Sequence, residues 1–225
     1  MRDNVEIRFG DWFNEGLRLF GDNVGLLVLA TLLTVVLSVL TFGILAGPLS
    51  AGLVLILLRL CDGNPSPRVT DIFEGFDYFL HSLLFFAVWG VATMAAQTVA
   101  ESIPCVGQLA AVAVPFVLNT FLMFGLFLIV DKSLSFWDAS VESFHAVQPF
   151  IWPLFGLNIV ASLIGMAGAL ACIIGLVVTM PIFWSVMVVV YRDFFPLVAS
   201  PQGTPRDTID AGPEMSQRAP DVTEE

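Results

Sequence analysis

The sequence predicts an all-α, polytopic membrane protein with about six transmembrane helices, arranged as three helical hairpins that each follow an amphipathic helix. Hydrophobic residues make up 57% of the 225 residues and charged residues only 13%, whereas soluble domains have about 25% charged residues. Moreover, residues 146–191 form a run of 46 without a charged side chain. A transmembrane helix needs about 20 apolar residues, so this run alone predicts two crossings.

Uncharged stretches and their interruptions set the bounds of the hairpins. The six predicted spans cover residues 23–42, 46–60, 79–100, 109–130, 147–167 and 172–191. Glycine and proline mark the expected returns, because both interrupt regular helix. Proline also removes a backbone donor, so helix breaks are expected at Pro48, Pro104, Pro115 and Pro181.

An aromatic amphipathic helix is predicted before each hairpin, at about residues 5–20, 70–80 and 135–147. Each segment places its apolar residues on one helical stripe and its charges on the other side. Two placements are open for these helices. They lie in the headgroup region of the membrane, or they pack on the cytosolic ends of the protein's own spans.

The recurrence of this pattern suggests a threefold repeat over about 5–62, 70–132 and 133–195, within a single transmembrane domain 1–195. Trp12 and Trp137 begin corresponding stripes, and Arg59 and Arg192 close corresponding spans. The alternative is chance resemblance, since any hairpin needs aromatic and charged residues at its ends. Residues 196–225 are predicted to be a disordered, acidic cytosolic tail, because they are rich in Pro, Ser, Thr and acids.

Charge predicts orientation. All nine Lys and Arg residues fall on one side of the six-span arrangement, so the positive-inside rule places both termini in the cytosol and the chain in the cytoplasmic (cell) membrane. The formal net charge of −11 argues against nucleic acid as a partner. The expected partners are membrane lipids, together with other membrane proteins or a second copy of the chain.

Chemistry-bearing residues are scarce in the predicted spans. A charge at mid-membrane costs about 2.5–3.5 kcal/mol, and the sequence places none there. The weak functional candidates are Glu101, at the outer end of the third span, and His81 and His145, at cytosolic span entrances. Each is also explained as a solvated helix end or an interfacial histidine. No metal, cofactor or catalytic motif is recognisable, so no catalytic residue, cofactor or metal is expected.

Four short motifs resemble an uncharacterised bacterial integral-membrane family that is similar to the membrane domain attached to some glycerophosphodiester phosphodiesterases. They are DIFEGFDYF at 71–79, Ile103-Pro104, VDKSLSFWDASVESFHAV at 130–147, and Tyr191-Arg192-Asp193. The resemblance covers about residues 8–195. The catalytic barrel of those fusions is absent from this sequence, so no catalytic residue carries over. The resemblance implies a bacterial cytoplasmic membrane and an association with lipids.

Three functions are compatible with these features. The first is a non-catalytic accessory, scaffold or lipid-organising protein, because the spans lack ionisable residues at mid-depth. The alternative is a transporter or channel for a neutral or lipidic substrate, suggested by the repeat and the helix-breaking prolines. The second alternative is a membrane-embedded lipid enzyme, which would need an acid–base group that the sequence does not reveal.

Overall fold

A computed structural model describes residues 8–63, 67–103, 107–170 and 172–196, and every regular element in these ranges is helical. The elements are α1 (Phe9–Asp22), α2 (Val24–Leu40), α3 (Ala46–Cys61), a 3₁₀ helix (Val69–Tyr78), α4 (Phe79–Glu101), α5 (Gly107–Leu122), α6 (Gly125–Lys132), α7 (Phe136–Val147), a short 3₁₀ turn (Gln148–Phe150), α8 (Ile151–Leu170) and α9 (Cys172–Phe194). The predicted tail from residue 197 onward and Pro104 lie outside the described residues.

Several of these helices are long and apolar enough to cross a membrane. Four stretches qualify, and a fifth qualifies if α1 and α2, which are bent by 89°, count as one span. The four are Val69–Glu101, Gly107–Lys132, Phe136–Leu163 and Val177–Phe194. The predicted all-α, polytopic helical class is therefore confirmed.

The predicted number of six spans is larger than this count. The difference lies in the first hairpin, where α2 has 17 residues and α3 has 16. At 1.5 Å per residue these helices are only about 25 Å and 24 Å long, whereas the hydrocarbon core is about 30 Å thick. Each helix of the first hairpin is therefore shorter than the hydrocarbon core that a complete crossing must span.

The second helix of the middle hairpin is also divided. The single span expected over 109–130 is two helices, α5 and α6, separated at Met123 and Phe124. Pro115 lies inside α5 and Pro181 lies inside α9, so neither ends its helix as expected. Membrane helices tolerate proline where neighbouring groups satisfy the freed carbonyl. Pro48 is in the first turn of α3, where it was predicted and where its missing N–H has little effect.

The amphipathic segments pack on the protein's own helices, which is one of the two placements predicted for them. The 3₁₀ helix Val69–Tyr78 packs on α3, α7 packs on α5 and α6, and α1 packs on α9. The last helices of the stretches 5–62, 70–132 and 133–195 are α3, α6 and α9. They form the centre of the buried core, and α3 contacts both α6 and α9. Trp12 is 1% exposed and Trp137 is 57% exposed, so the two tryptophans that begin corresponding stripes in the sequence differ in burial.

Small residues permit the closest of these contacts. A Cβ atom on Gly52 would overlap the backbone of Ile72, and a Cβ atom on Gly75 would overlap the backbone at Pro48 and Gly52. On α1, a Cβ atom on Gly16 would lie 2.7 Å from the Cα of Val186 in α9. The helices at these positions approach until their backbones touch, as is common where helices associate in membranes.

Replacing Gly52 by alanine is expected to destabilise the fold. The new methyl group must displace the backbone of Ile72, and overpacking of this kind costs about 1–3 kcal/mol, although alanine favours helix by about 1 kcal/mol. Gly156→Ala is the matched control, because no atom lies within 4 Å of its added Cβ. Unfolding in mixed detergent micelles should show a loss for Gly52→Ala and none for Gly156→Ala. Equal stabilities would contradict the close packing of α3 with the 3₁₀ helix.

Candidate functional site: an aromatic cleft

A concavity among the described residues lies between α4, α5, α6 and α9. It has a volume of about 420 Å³. Its lining is mostly aromatic and aliphatic, and consists of Phe85, Phe86, Trp89, Gly90, Thr93, Pro115, Leu118, Asn119, Leu122, Met123, Leu126, Phe183, Trp184 and Met187.

A second cavity of about 410 Å³ adjoins the first and lies between α4, α5 and α7. The two share Trp89, Leu118 and Leu122, so these side chains form a common wall. The rest of the second cavity is lined by Phe121, Trp137, Ser140, Val141, Phe144 and His145. We refer to both cavities together as the aromatic cleft.

The polar atoms that hold the wall of the cleft are engaged within the protein. The indole Nε1 of Trp89 donates to the Ser140 hydroxyl at 2.9 Å, and Ser140 donates to the carbonyl of Phe136 at 2.6 Å. Thr93 donates to the carbonyl of Trp89 at 2.7 Å. None of the described lining residues is Asp, Glu, Lys or Arg. The cleft therefore offers a ligand mainly apolar contact.

The aromatic stripe of α7 forms one side of the second cavity. Trp137, Val141 and Phe144 are exposed along this helix, and the ring of Phe144 stacks on Phe121 of α5 with their centroids 4.6 Å apart. The sequence predicted this stripe as a surface for the membrane interface or for packing. In the structure this stripe lines the second cavity, opposite uncharged residues of α4 and α5.

The break between α5 and α6 shapes the cleft and is stabilised by α7. The buried hydroxyl of Ser143 donates to the carbonyl of Phe121 at 2.7 Å and accepts the N–H of Phe124 at 3.2 Å. One side chain thus satisfies a donor and an acceptor that the interrupted helix would leave unpaired. Unpaired backbone groups in hydrocarbon cost several kcal/mol, so Ser143 is a structural requirement of the break.

A polar contact between α8 and α5 fixes the other side of α5. Asn158 donates to the Thr120 hydroxyl at 3.0 Å, and both side chains are buried. Thr120 in turn donates to the carbonyl of Phe116 at 2.8 Å. Hydrogen bonds of this kind hold membrane helices together where hydrophobic burial supplies no net driving force. They position the helix whose residues Pro115 and Leu118 line the cleft.

The three weak candidates from the sequence are not brought together. His145 is exposed at the rim of the second cavity, with its ring edge-on to Phe144. His81, near the start of α4, is half-buried, and its Nδ1 atom has no hydrogen-bond partner among the described residues. Glu101 is exposed at the end of α4. Within the described ranges no group of three or more His, Cys, Asp or Glu residues could hold a metal ion.

Charged residues gather instead where α3, α6 and α9 end. Arg192 of α9 pairs with Asp62, the residue after α3, at 2.6 Å, and with Asp131 of α6 at 2.9 Å. Asp131 also accepts the Tyr191 hydroxyl at 2.7 Å. The three paired side chains are between 12% and 18% exposed. A single guanidinium thus joins the ends of three helices that are far apart in the sequence.

Neighbouring contacts extend this ionic network to α1. The indole of Trp12 donates to the carboxylate of Asp193, and Arg8 lies 3.9 Å from the same carboxylate. Arg59, near the end of α3, pairs with Asp71 at 3.1 Å and also with Glu74, both on the 3₁₀ helix. The first two amphipathic segments are therefore held by ion pairs as well as by apolar packing.

Sequence reasoning missed the residues that build the cleft. Trp89 and Asn158 are isolated polar or amphipathic side chains inside apolar runs, and that isolation was the available signal. Ser143 follows Glu142 in an amphipathic segment, so the sequence offered no such signal for it. Comparisons of the chain with protein-family models, with curated proteins and with solved structures found no significant match. The family resemblance stays a prediction.

Arg192→Met is expected to destabilise the protein by about 3 kcal/mol, because it leaves Asp62 and Asp131 side by side without their partner. Arg18→Met is the control, since the Arg18–Asp22 pair is 84% and 70% exposed and such pairs contribute about 0–1 kcal/mol. Denaturation in mixed micelles measures both. Equal losses in the free energy of unfolding would show that the ionic network stabilises the fold no more than an exposed ion pair does.

Proposed function

We propose that this is a non-catalytic membrane protein that binds lipid, with a lipid hydrocarbon chain lying in the aromatic cleft. In the cell it acts as an accessory or lipid-organising protein. The observation that carries the proposal is the lining of the cleft. Aromatic and aliphatic side chains from five helices surround it, and the described lining contains one titratable residue, His145. Catalysis on a lipid headgroup requires positioned acid–base groups, and the cleft supplies no such pair.

Size and environment support a chain rather than a compact polar ligand. Each cavity lies within the range of about 300–1,000 Å³ that is common for small-molecule sites. A chain that leaves bulk lipid for the cleft gains no hydrophobic free energy, because both surroundings are apolar. Its affinity must come from dispersion contacts with rings such as Trp89, Phe121 and Phe183, and from polar contacts at the rim. We therefore expect selective but modest binding.

The helix packing supports a second part of the proposal, that the chain is a threefold repeat. In each unit an Asp precedes a buried residue, and a small residue follows one turn later. These triplets are Asp11-Trp12 with Gly16, Asp71-Ile72 with Gly75, and Asp138-Ala139 with Ser143. The spacing is four residues in the α-helices and three in the 3₁₀ helix, as their turns of 3.6 and 3.0 residues require. Each small residue faces the final helix or helix pair of the preceding unit, which closes a ring.

A cytosolic location of both termini is the third part. It is supported by the ionic network, which gathers Arg8, Arg192 and the ends of α3 and α6 at one place, as the positive-inside rule favours for the cytosolic side. A reporter that is active only outside the cytosol, fused after Glu225, should be silent, whereas a cytosolic reporter at the same position should be active. The reverse result would overturn this orientation.

Transport of a lipidic substrate is the second candidate function. The interruption of α5–α6 favours it, since Pro115 and Met123 both line the first cavity and broken helices often form substrate sites in transporters. Reconstitution in liposomes distinguishes the candidates. Movement of fluorescent lipid between leaflets above the protein-free rate would favour transport over simple binding.

Leu118→Trp is expected to reduce lipid binding at least about tenfold, a loss of about 1.4 kcal/mol, because Leu118 lines both cavities and the larger ring occupies the space of the chain. Native mass spectrometry of the purified protein with a defined phospholipid measures the bound fraction, and chromatography of the recovered lipid tests whether it is unchanged.

Leu163→Trp is the matched control, because Leu163 is 57% exposed on α8 and lies away from the cleft residues. It should bind lipid as the unmodified protein does. Equal binding by both variants would refute the cleft as the site, and conversion of the lipid to a new product would refute the non-catalytic function.

A further inference from the structure

The turn between α2 and α3 has an apolar surface that no described part of the chain covers. Four side chains around it are largely exposed: Val39 at 71%, Leu40 at 69%, Phe42 at 97% and Ile44 at 58%. No charged residue occurs between Asp22 and Arg59. Contiguous exposed apolar surface of this kind marks contact with a membrane or a protein.

The backbone N–H groups of the same turn are paired without water. All six N–H groups from Thr41 to Ala46 donate to acceptors within the turn and the preceding helix. Their acceptors are the carbonyls of Leu37, Val39, Ser38 and Thr41 for residues 41 to 44, the Thr41 hydroxyl for Leu45, and the carbonyl of Gly43 for Ala46. Pro48 has no N–H, so the start of α3 also presents fewer free donors. Hydrocarbon requires internal partners for backbone donors, and the six donors of this turn have them.

The way in which α2 ends is also unusual for a turn in water. Gly43 donates to the carbonyl of Ser38 at 2.7 Å and Phe42 donates to that of Val39 at 3.2 Å, which is the bond pattern of a Schellman motif. The left-handed position of that motif normally holds glycine. Here it holds Phe42, with φ +52°. The ring of Phe42 is almost completely exposed, which suits an apolar surrounding.

Helix length limits how far this turn reaches. From the charged ends near Asp22 and Arg59, α2 and α3 extend about 25 Å and 24 Å, which is less than the hydrocarbon thickness of about 30 Å. By contrast, α4 has 23 residues, or about 35 Å, and ends at the exposed Glu101. The two hairpins therefore differ in both length and the polarity of their tips.

We propose that the α2–α3 turn lies within the acyl chains of the far leaflet, so that α2 and α3 form an embedded hairpin rather than two complete crossings. Its partner is lipid hydrocarbon, contacted by Leu40, Phe42 and Ile44. The right-angle bend between α1 and α2 fits this arrangement, because it lets α1 run along the membrane surface while α2 enters it. The inference is independent of lipid binding in the aromatic cleft.

Spin labels at two turn positions test the proposal in the full-length protein in phospholipid nanodiscs. Leu40→Cys and Phe42→Cys carry the label, and the native cysteines Cys61, Cys105 and Cys172 are replaced by serine. Ser102→Cys, after the polar end of α4, is the matched reference. The measurement compares label collisions with oxygen, which dissolves in hydrocarbon, and with a water-soluble nickel chelate.

Labels at 40 and 42 should collide several-fold more often with oxygen than with nickel, and the label at 102 should show the reverse ratio. The proposal is overturned if nickel reaches the labels at 40 and 42 as readily as the label at 102. Leu40 lies in regular helix, so its label decides the question if the Phe42 variant alters the turn.

Discussion

The structure depends on one constraint, that a backbone surrounded by hydrocarbon must satisfy its N–H and C=O groups within the chain. Continuous helix meets it along most of the described residues. Where helix is interrupted, a hydroxyl completes the pairing. Ser143 bridges the break between α5 and α6, and Thr41 accepts the N–H of Leu45 in the α2–α3 turn while donating to Leu37. Ser143 and Thr41 therefore form the hydrogen bonds that water would form in a turn of a soluble protein.

The same constraint keeps charged side chains away from the cleft. Arg192, Asp62 and Asp131 meet where three helices end and keep partial access to solvent, so their pairing does not require complete desolvation. The cleft, in contrast, is walled by rings. The Trp89 indole donates to the Ser140 hydroxyl, and the Thr93 and Ser140 hydroxyls donate to backbone carbonyls. The ionic network joins the ends of α3, α6 and α9. The described lining of the cleft has no Asp, Glu, Lys or Arg, which suits the proposed lipid chain.

Much of the fold could be predicted from the sequence, because hydrocarbon allows few alternatives. Uncharged length and amphipathic periodicity predicted the bounds of α1, α3, α4 and α9 within a few residues. The expected break at Pro115 is not where the helix ends, since the break at Met123–Phe124 depends on a hydroxyl from α7, which follows later in the chain. The residues around the break therefore do not reveal this contact with α7.

The site was harder to predict, for a related reason. Glu101, His81 and His145 were candidates because they are ionisable, but only His145 lines the cleft. The cleft is instead formed by ordinary apolar residues whose arrangement follows from helix packing. Likewise, Trp12 and Trp137 look alike in the sequence, yet one is buried beside α9 and the other is at the mouth of a cavity. Burial depends on partners that a stripe of aromatic residues does not reveal.

The most direct test of lipid binding in the cleft is photo-crosslinking in nanodiscs with a phospholipid that carries a diazirine in its acyl chain. Peptide mapping by mass spectrometry then locates the adducts. If a chain occupies the cleft, adducts should concentrate around Trp89, Leu118 and Phe144, and excess unlabelled lipid should remove them in a saturable way. Adducts spread evenly over the exposed apolar faces of α2, α4 and α8, without competition, would contradict the account.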